Sequence, residues 1–263
     1  MFSLFFLGDH KQLRPPTTVY HLAKQYQLDV SLFERMLNNG LELCTLQVQH
    51  RMRPEVARLI VPSIYEKLKN HESVLDYPHI KGMTRSVFFL THSRMESDDA
   101  EQKSHLNPYE AEMCLALARH LLMQGPYQCQ DITILTTYSG QLLHLKKIRQ
   151  KHGALQGIKI TTVDNFQGEE NQIIILSLVR SNAKANIGFL KTENRICVAL
   201  SRAKQGFYLL GNMDGLQGQS ELWRKIQQVL VDHGELGPKF GLKCEIHGIV
   251  TLVVGCLHRS VID

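Results

Sequence analysis

IKITTVDNFQGEENQIIILSLV, residues 158–179, contains two short apolar runs, Ile158 to Val163 and Ile173 to Val179, joined by a polar connection with one glycine. Both runs are too short for helices and rich in β-branched residues, so both read as strands. Working outward, Val87 to Leu90, Ile132 to Leu135 and Phe207 to Leu210 repeat the pattern. Between them Pro54 to Leu68 opens with proline at a first helical position, and Pro108 to Met123 carries apolar residues at three- and four-residue spacing. Strands alternating with helices specify an α/β fold, a parallel sheet flanked by helices. A last helix over Ser220 to Asp232 ends near Gly234, and residues 237–241 read as a linker. Ile249 to Leu257 is an apolar run that suits an edge strand, and the polar run from Glu96 to Ser104 suits a surface loop.

With 263 residues, 43% hydrophobic and 21% charged, the chain can bury a full core, which sets disorder aside. A net charge of +5 and a pI near 8.8 suit a protein that meets phosphate, though ordinary enzymes share that balance. The six cysteines, at 44, 114, 129, 197, 244 and 256, are scattered, which argues against a secreted disulfide framework and points to a cytoplasmic or nuclear setting. Cys114 and Cys197 read as core packing. The apolar start, Met1 to Leu7, has no basic region and is too short for a signal peptide or a membrane span, so it reads as a buried strand.

Five stretches carry chemistry. Gly8-Asp9-His-Lys-Gln12-Leu-Arg-Pro15 follows an apolar run, and a neutral amide such as Gln12 can hydrogen-bond both a phosphate oxygen and an attacking water. Gln49-His50-Arg51-Met-Arg53-Pro54 places two permanently charged guanidinium groups beside a helix start, a pattern suited to phosphate. Asn107 stands where its amide would cap the helix opening at Pro108. In the connection between the two opening strands, Gln167, Gly168, Glu169 and Glu170 lie where a nucleotide or nucleic acid can reach, or are simply solvated. Arg195 and Arg202, seven apart on a short helix, would share a face.

Taken in this order, the motifs resemble the Upf1-like branch of superfamily 1 helicases, over residues 1 to about 235. Gly8 to Pro15 looks like helicase motif III, Gln49 to Pro54 like the region around motif IV, Val163 to Glu170 like motif V and Val198 to Lys204 like motif VI. Thr137-Tyr138-Ser-Gly-Gln141 matches the family's Thr-x-Tyr-x-x-Gln stretch. The resemblance implies a RecA-like P-loop NTPase fold with a remnant of the first motor domain at 1–16, the second at 17–236, and a linker and tail at 237–263. It also implies ATP and magnesium as cofactors, held mainly by an N-terminal RecA-like domain that the chain needs as partner. Gln12 would then sense the γ-phosphate, with Arg51 and Arg202 as arginine fingers. Gly8, Asp9, Gln49, His50, Gln167, Gly168 and Glu170 would line the nucleotide, Glu170 at the sugar and His50 where the family usually stacks tyrosine on adenine. Thr137, Tyr138, Gln141, Arg53 and Arg195 would face nucleic acid, RNA before DNA.

The wording of the motifs, Leu32-Phe-Glu-Arg-Met36, and Cys244-Glu-Ile-His247 bring the chain nearer the members with NFX-type zinc fingers, helicases tied to RNA silencing and antiviral defence. There Cys244 and His247 would open a zinc site, and Cys256 and His258 could complete it, although an apolar β-branched run is an unusual filler for a zinc loop. Nothing in the 263 residues has the Gly-x-x-x-x-Gly-Lys-Ser/Thr phosphate loop (Walker A), and no acidic pair (Walker B) precedes motif III. Two readings stay open. One is a helicase motor domain that is inactive without a phosphate-loop domain. The other is a truncated, non-catalytic RNA- or protein-binding module using Arg51, Arg53, Lys146, Lys147 and Arg149.

Overall fold

Six parallel strands form the central sheet of a computed structural model that describes residues 5–99 and 104–253. In chain order the strands are β1 (Val48–Gln49), β2 (Lys69–Asn70), β3 (Val87–Thr91), β4 (Ser97–Asp99), β5 (Ser104–Leu106), β6 (Ile132–Thr136), β7 (Lys159–Thr162), β8 (Asn171–Ser177), β9 (Ala203–Gly211), β10 (Leu236–Gly237), β11 (Phe240–Lys243) and β12 (Val250–Val253). The helices are α1 (Tyr20–Tyr26), α2 (Leu32–Asn38), α3 (Pro54–Ala57), α4 (Pro108–Gln124), α5 (Ser139–Arg149), α6 (Glu193–Leu200), α7 (Met213–Gln219) and α8 (Glu221–Asp232). The sheet runs β10-β3-β9-β8-β6-β7, so all five strands expected from sequence lie in it.

Strand alternation sorts the side chains onto two faces. The row Phe89, Leu209, Leu176 and Leu135 crosses four paired strands and packs under α3, α6 and α8, where Trp223 and Ile226 are fully buried. The adjacent row Tyr208, Ile175 and Ile134 belongs to the opposite core, closed by Cys114, Leu117 and Leu121 of α4 and Leu145 of α5. Burial of each such side chain contributes about 1.5–3 kcal/mol. Helix starts follow local chemistry: Asn107 accepts from the Glu110 amide at 3.2 Å to cap α4, and Ser220 accepts from the Trp223 amide at 3.4 Å to cap α8.

Several expectations need correction. The helix expected over Pro54 to Leu68 stops at Ala57 and gives way to turns, because Pro62 has no N–H to give and its ring crowds the preceding turn. The loop expected at 96–104 contains an antiparallel hairpin, β4 with β5. The linker expected at 237–241 is built into the domain: β10 pairs with β3, and Phe240 and Leu242 of β11 are buried in the core beneath α4. Val250–Val253 is a strand, as the apolar run suggested, and pairs with β11. Of the strand expected at the start, residues 1–4 lie outside the described residues; Phe5 and Leu7 are exposed and in no strand. No described strand lies beside them to pair with.

Candidate functional site

Two groups of the expected site residues gather at opposite ends of β8 and β9. At the amino-terminal end, Arg51, Glu170, Arg202 and Gln12 converge. Arg202 directly precedes β9 and Glu170 directly precedes β8, which brings them side by side because the two strands are neighbours. Arg51 enters from the turn after β1: its Nε is ion-paired with Glu170, and its Nη1 donates to the Ser201 carbonyl at 3.0 Å. Arg202 is 1% exposed; its guanidinium donates to Val198 O at 3.0 Å, Glu169 O at 3.3 Å and Ser201 Oγ at 2.7 Å, and reaches Gln12 Oε1 at 3.4 Å.

This end of the sheet is electropositive. Burial first, and then the charge of Arg51, pushes the Arg202 pKa down to about 10. Glu170 is held below the usual carboxylate range, first by the hydrogen bond from Lys204 at 2.7 Å and then, against the opposing effect of burial, by Arg51. Two guanidinium groups, backed by an amide and a lysine, fit a multiply charged oxyanion.

Gln12 is held from three sides. Its Nε2 donates to Asp9 at 3.0 Å, and Asn194 Nδ2 donates to the carbonyls of His10 at 2.9 Å and Gln12 at 2.7 Å. Asp9 also accepts from the Tyr65 hydroxyl at 2.6 Å, and that hydroxyl lies 3.2 Å from Cys197 Sγ. Burial raises the pKa of both, Cys197 to about 11, so both are neutral. Asp9 is therefore engaged in fixing Gln12. Gly8 lies against the Phe33 ring, where a Cβ would come within 3.3 Å. Gln49 is buried and shapes the Arg51 turn, accepting from the Arg51 and Met52 amides at 2.9 and 2.7 Å. His50 is exposed and lies against His71, ring centroids 4.0 Å apart and tilted by 34°. Gln167 and Gly168 are exposed on the connection, Gly168 at φ +83°.

At the carboxyl-terminal end, Thr137, Tyr138 and Gln141 come together but face inward. Gln141 is fully buried, accepting from Asn107 N at 2.8 Å and donating to Asn107 O at 3.1 Å and Ser177 Oγ at 3.0 Å. Thr137 donates to Leu178 O at 3.4 Å, and Tyr138 is 5% exposed. Glu110, also fully buried, accepts from Ser177 Oγ at 2.6 Å and Val179 N at 2.9 Å and meets His92 at 3.1 Å.

Arg53 does not belong to an open surface: it is 6% exposed and its guanidinium is bound by Glu55 and by the carbonyls of Pro78 and Gln205. Arg195 and Arg202 do not share a helix face, since α6 ends at Leu200 and Ser201 leaves helical geometry. Arg195 instead makes two 2.8 Å bonds to Asp164. Cys244 Sγ and His247 Nδ1 are 3.3 Å apart in the β11–β12 turn, whereas Cys256 and His258 lie outside the described residues. Among the described residues no three His, Cys, Asp or Glu side chains gather as a metal site. Tyr65, Asn194 and Lys204 were missed by sequence reading. Asn194 and Gln12 are 182 residues apart, and no local pattern joins them.

Comparison with known proteins adds a family. The model of an AAA domain matches residues 28–214. The chain is 49% identical over 244 residues to mouse NFX1-type zinc finger-containing protein 1, covering 93% of this chain and 13% of that one. It is 42% identical to the fission yeast helicase required for RNAi-mediated heterochromatin assembly 1, over 84% of this chain and 22% of the relative. Against the budding yeast ATP-dependent helicase NAM7 the identity is 32%, over 85% and 24%.

Proposed function

Because the chain belongs to this AAA domain family and carries the C-terminal motor domain of a Upf1-like superfamily 1 helicase, we propose that it supplies the arginine fingers and γ-phosphate sensor of an ATP-dependent RNA helicase. The phosphate loop and magnesium ligands would come from a partner RecA-like domain. One observation supports this most: Arg51, Arg202 and Gln12 meet around Ser201, with Arg51 held by Glu170 and Arg202 buried among carbonyls. In a closed, dry cleft each guanidinium would stabilise the charge developing on a transferring γ-phosphate. Gln12, fixed by Asp9 and Asn194, would orient the attacking water. Glu170 would exchange Arg51 for the sugar hydroxyls, so that nucleotide binding frees the arginine to reach the phosphate. Since the arginines act only when the domains close, hydrolysis is tied to motion.

RNA is the proposed strand and RNA silencing the proposed setting, on the strength of the motifs and of the fission yeast relative's name. Among the described residues no helix is long and apolar enough to cross a membrane. The test is Arg51→Ala and Arg202→Ala in this chain placed behind the phosphate-loop domain of a relative. Each should lower kcat for RNA-stimulated ATP hydrolysis by about a thousandfold or more. Hydrolysis within tenfold of the unmodified protein would remove the arginines from the reaction.

A further inference from the structure

Where Thr137, Tyr138 and Gln141 turn inward, a different side chain is left in solvent. Phe189 is 52% exposed, yet its loop is fastened by buried groups. Its amide donates to the Tyr138 hydroxyl at 3.3 Å, and the two rings lie 5.4 Å apart at 33°. Arg180, 6% exposed, donates to Asn186 O through Nε and Nη2 at 2.9 and 2.7 Å and pairs with Glu96 at 3.3 Å. At Gly188, φ +52°, a Cβ would fall 2.6 Å from the Tyr138 hydroxyl, so the turn that presents Phe189 closes tightly on Tyr138. An aromatic ring fixed in place and kept in water adds little to the core.

The surroundings indicate what it receives. The Arg195 guanidinium lies 4.6 Å from the Phe189 centroid, oriented by Asp164. Lys184 and Lys191 on the same loop, and exposed Arg94 near the Asn107 cap, have no carboxylate partner among the described residues. Among the described side chains, Asp164 is paired with Arg195, Asp98 with His105 and Glu96 with Arg180, while Glu193 is exposed. A π-face bordered by cations suits a flat base on an anionic backbone.

We propose that Phe189, with the Arg195 guanidinium seated over one face of its ring, is a stacking contact for an unpaired base of single-stranded nucleic acid, with Lys184, Lys191 and Arg94 drawing the phosphates. Tyr138 then serves to hold this loop. The inference deepens the helicase reading and rests on it.

Binding of fluorescent twelve-nucleotide uridine and thymidine strands, and of an abasic strand of equal length, tests the proposal on the complete chain. Phe189→Ala should weaken binding of the base-bearing strands by about tenfold, in line with stacking on one aromatic residue, and leave the abasic strand unaffected. Phe189→Trp should restore it. A uridine-only effect would make RNA the ligand, and an equal effect on thymidine would make it either strand. Unchanged binding by Phe189→Ala, or an equal loss on the abasic strand, would overturn the stacking contact alone. An unmodified chain that binds none of the strands would overturn the nucleic-acid reading as well.

Discussion

His120 holds a corner of the fold with a neutral ring. It is 8% exposed, and its Nε2 lies 2.7 Å from the carbonyl of Gly82, which can only accept, so that nitrogen carries the proton. Gly82 needs its φ of +85°, and a Cβ there would meet Gln124 at 2.9 Å. Burial pushes the His120 pKa below its ordinary 6.5. The unfolded chain therefore takes up this proton more readily, and the ring's contribution to stability is complete above about pH 6.5 and is lost as pH falls through the lower folded value. Replacing His120 by Gln, which keeps a donor for Gly82, should flatten the dependence of the urea midpoint on pH below about 6.5. An unaltered slope would place the acid sensitivity elsewhere. Residue chemistry of this kind is only half legible in sequence. The amides of Gln12 and Gln141 look alike as letters, but Gln12 ends beside Arg202 and Gln141 ends fully buried, satisfied by Asn107 and Ser177. Arg53 likewise reads as a surface cation until Glu55 and two carbonyls are found around it.

Among the elements, α6 connects the two ends of the sheet. Its first turn carries Asn194, which holds the Gln12 loop, and Arg195, which holds Asp164 and flanks Phe189; its last turn leads through Ser201 to Arg202. A shift of this helix would be felt at both the exposed aromatic and the arginine cluster. Asn194→Ala in the chain joined to a phosphate-loop domain should lower kcat about tenfold through two lost hydrogen bonds, with KM for ATP and strand affinity unchanged. A fall in strand affinity, or a change in KM alone, would mean that Asn194 does not position Gln12. Element boundaries were readable where capping chemistry is strong, at Asn107-Pro108 and Ser220, and misread where several short pieces follow one another, as from Pro54 to Leu68. Residues 237–243 misled for another reason: their glycines and proline signal a turn, while the burial of Phe240 and Leu242 depends on α4, more than 100 residues earlier.

At the scale of the molecule, the sheet order emerges only from the strand pairing, while the α/β class follows from short apolar runs like those of residues 158–179. What the chain offers to ATP does not. The charges that would meet the γ-phosphate stand at one end of β8 and β9, and the exposed aromatic stands beside Tyr138 toward the other. On the proposed reading Arg51 and Arg202 would complete an ATP site, and the 263 residues contain no phosphate loop to begin one. RNA-stimulated ATP hydrolysis, by the chain alone and by the same chain behind a phosphate-loop domain, tests this division most directly. The account predicts turnover only in the joined protein; hydrolysis by the chain alone, or a folded joined protein without any, would contradict it.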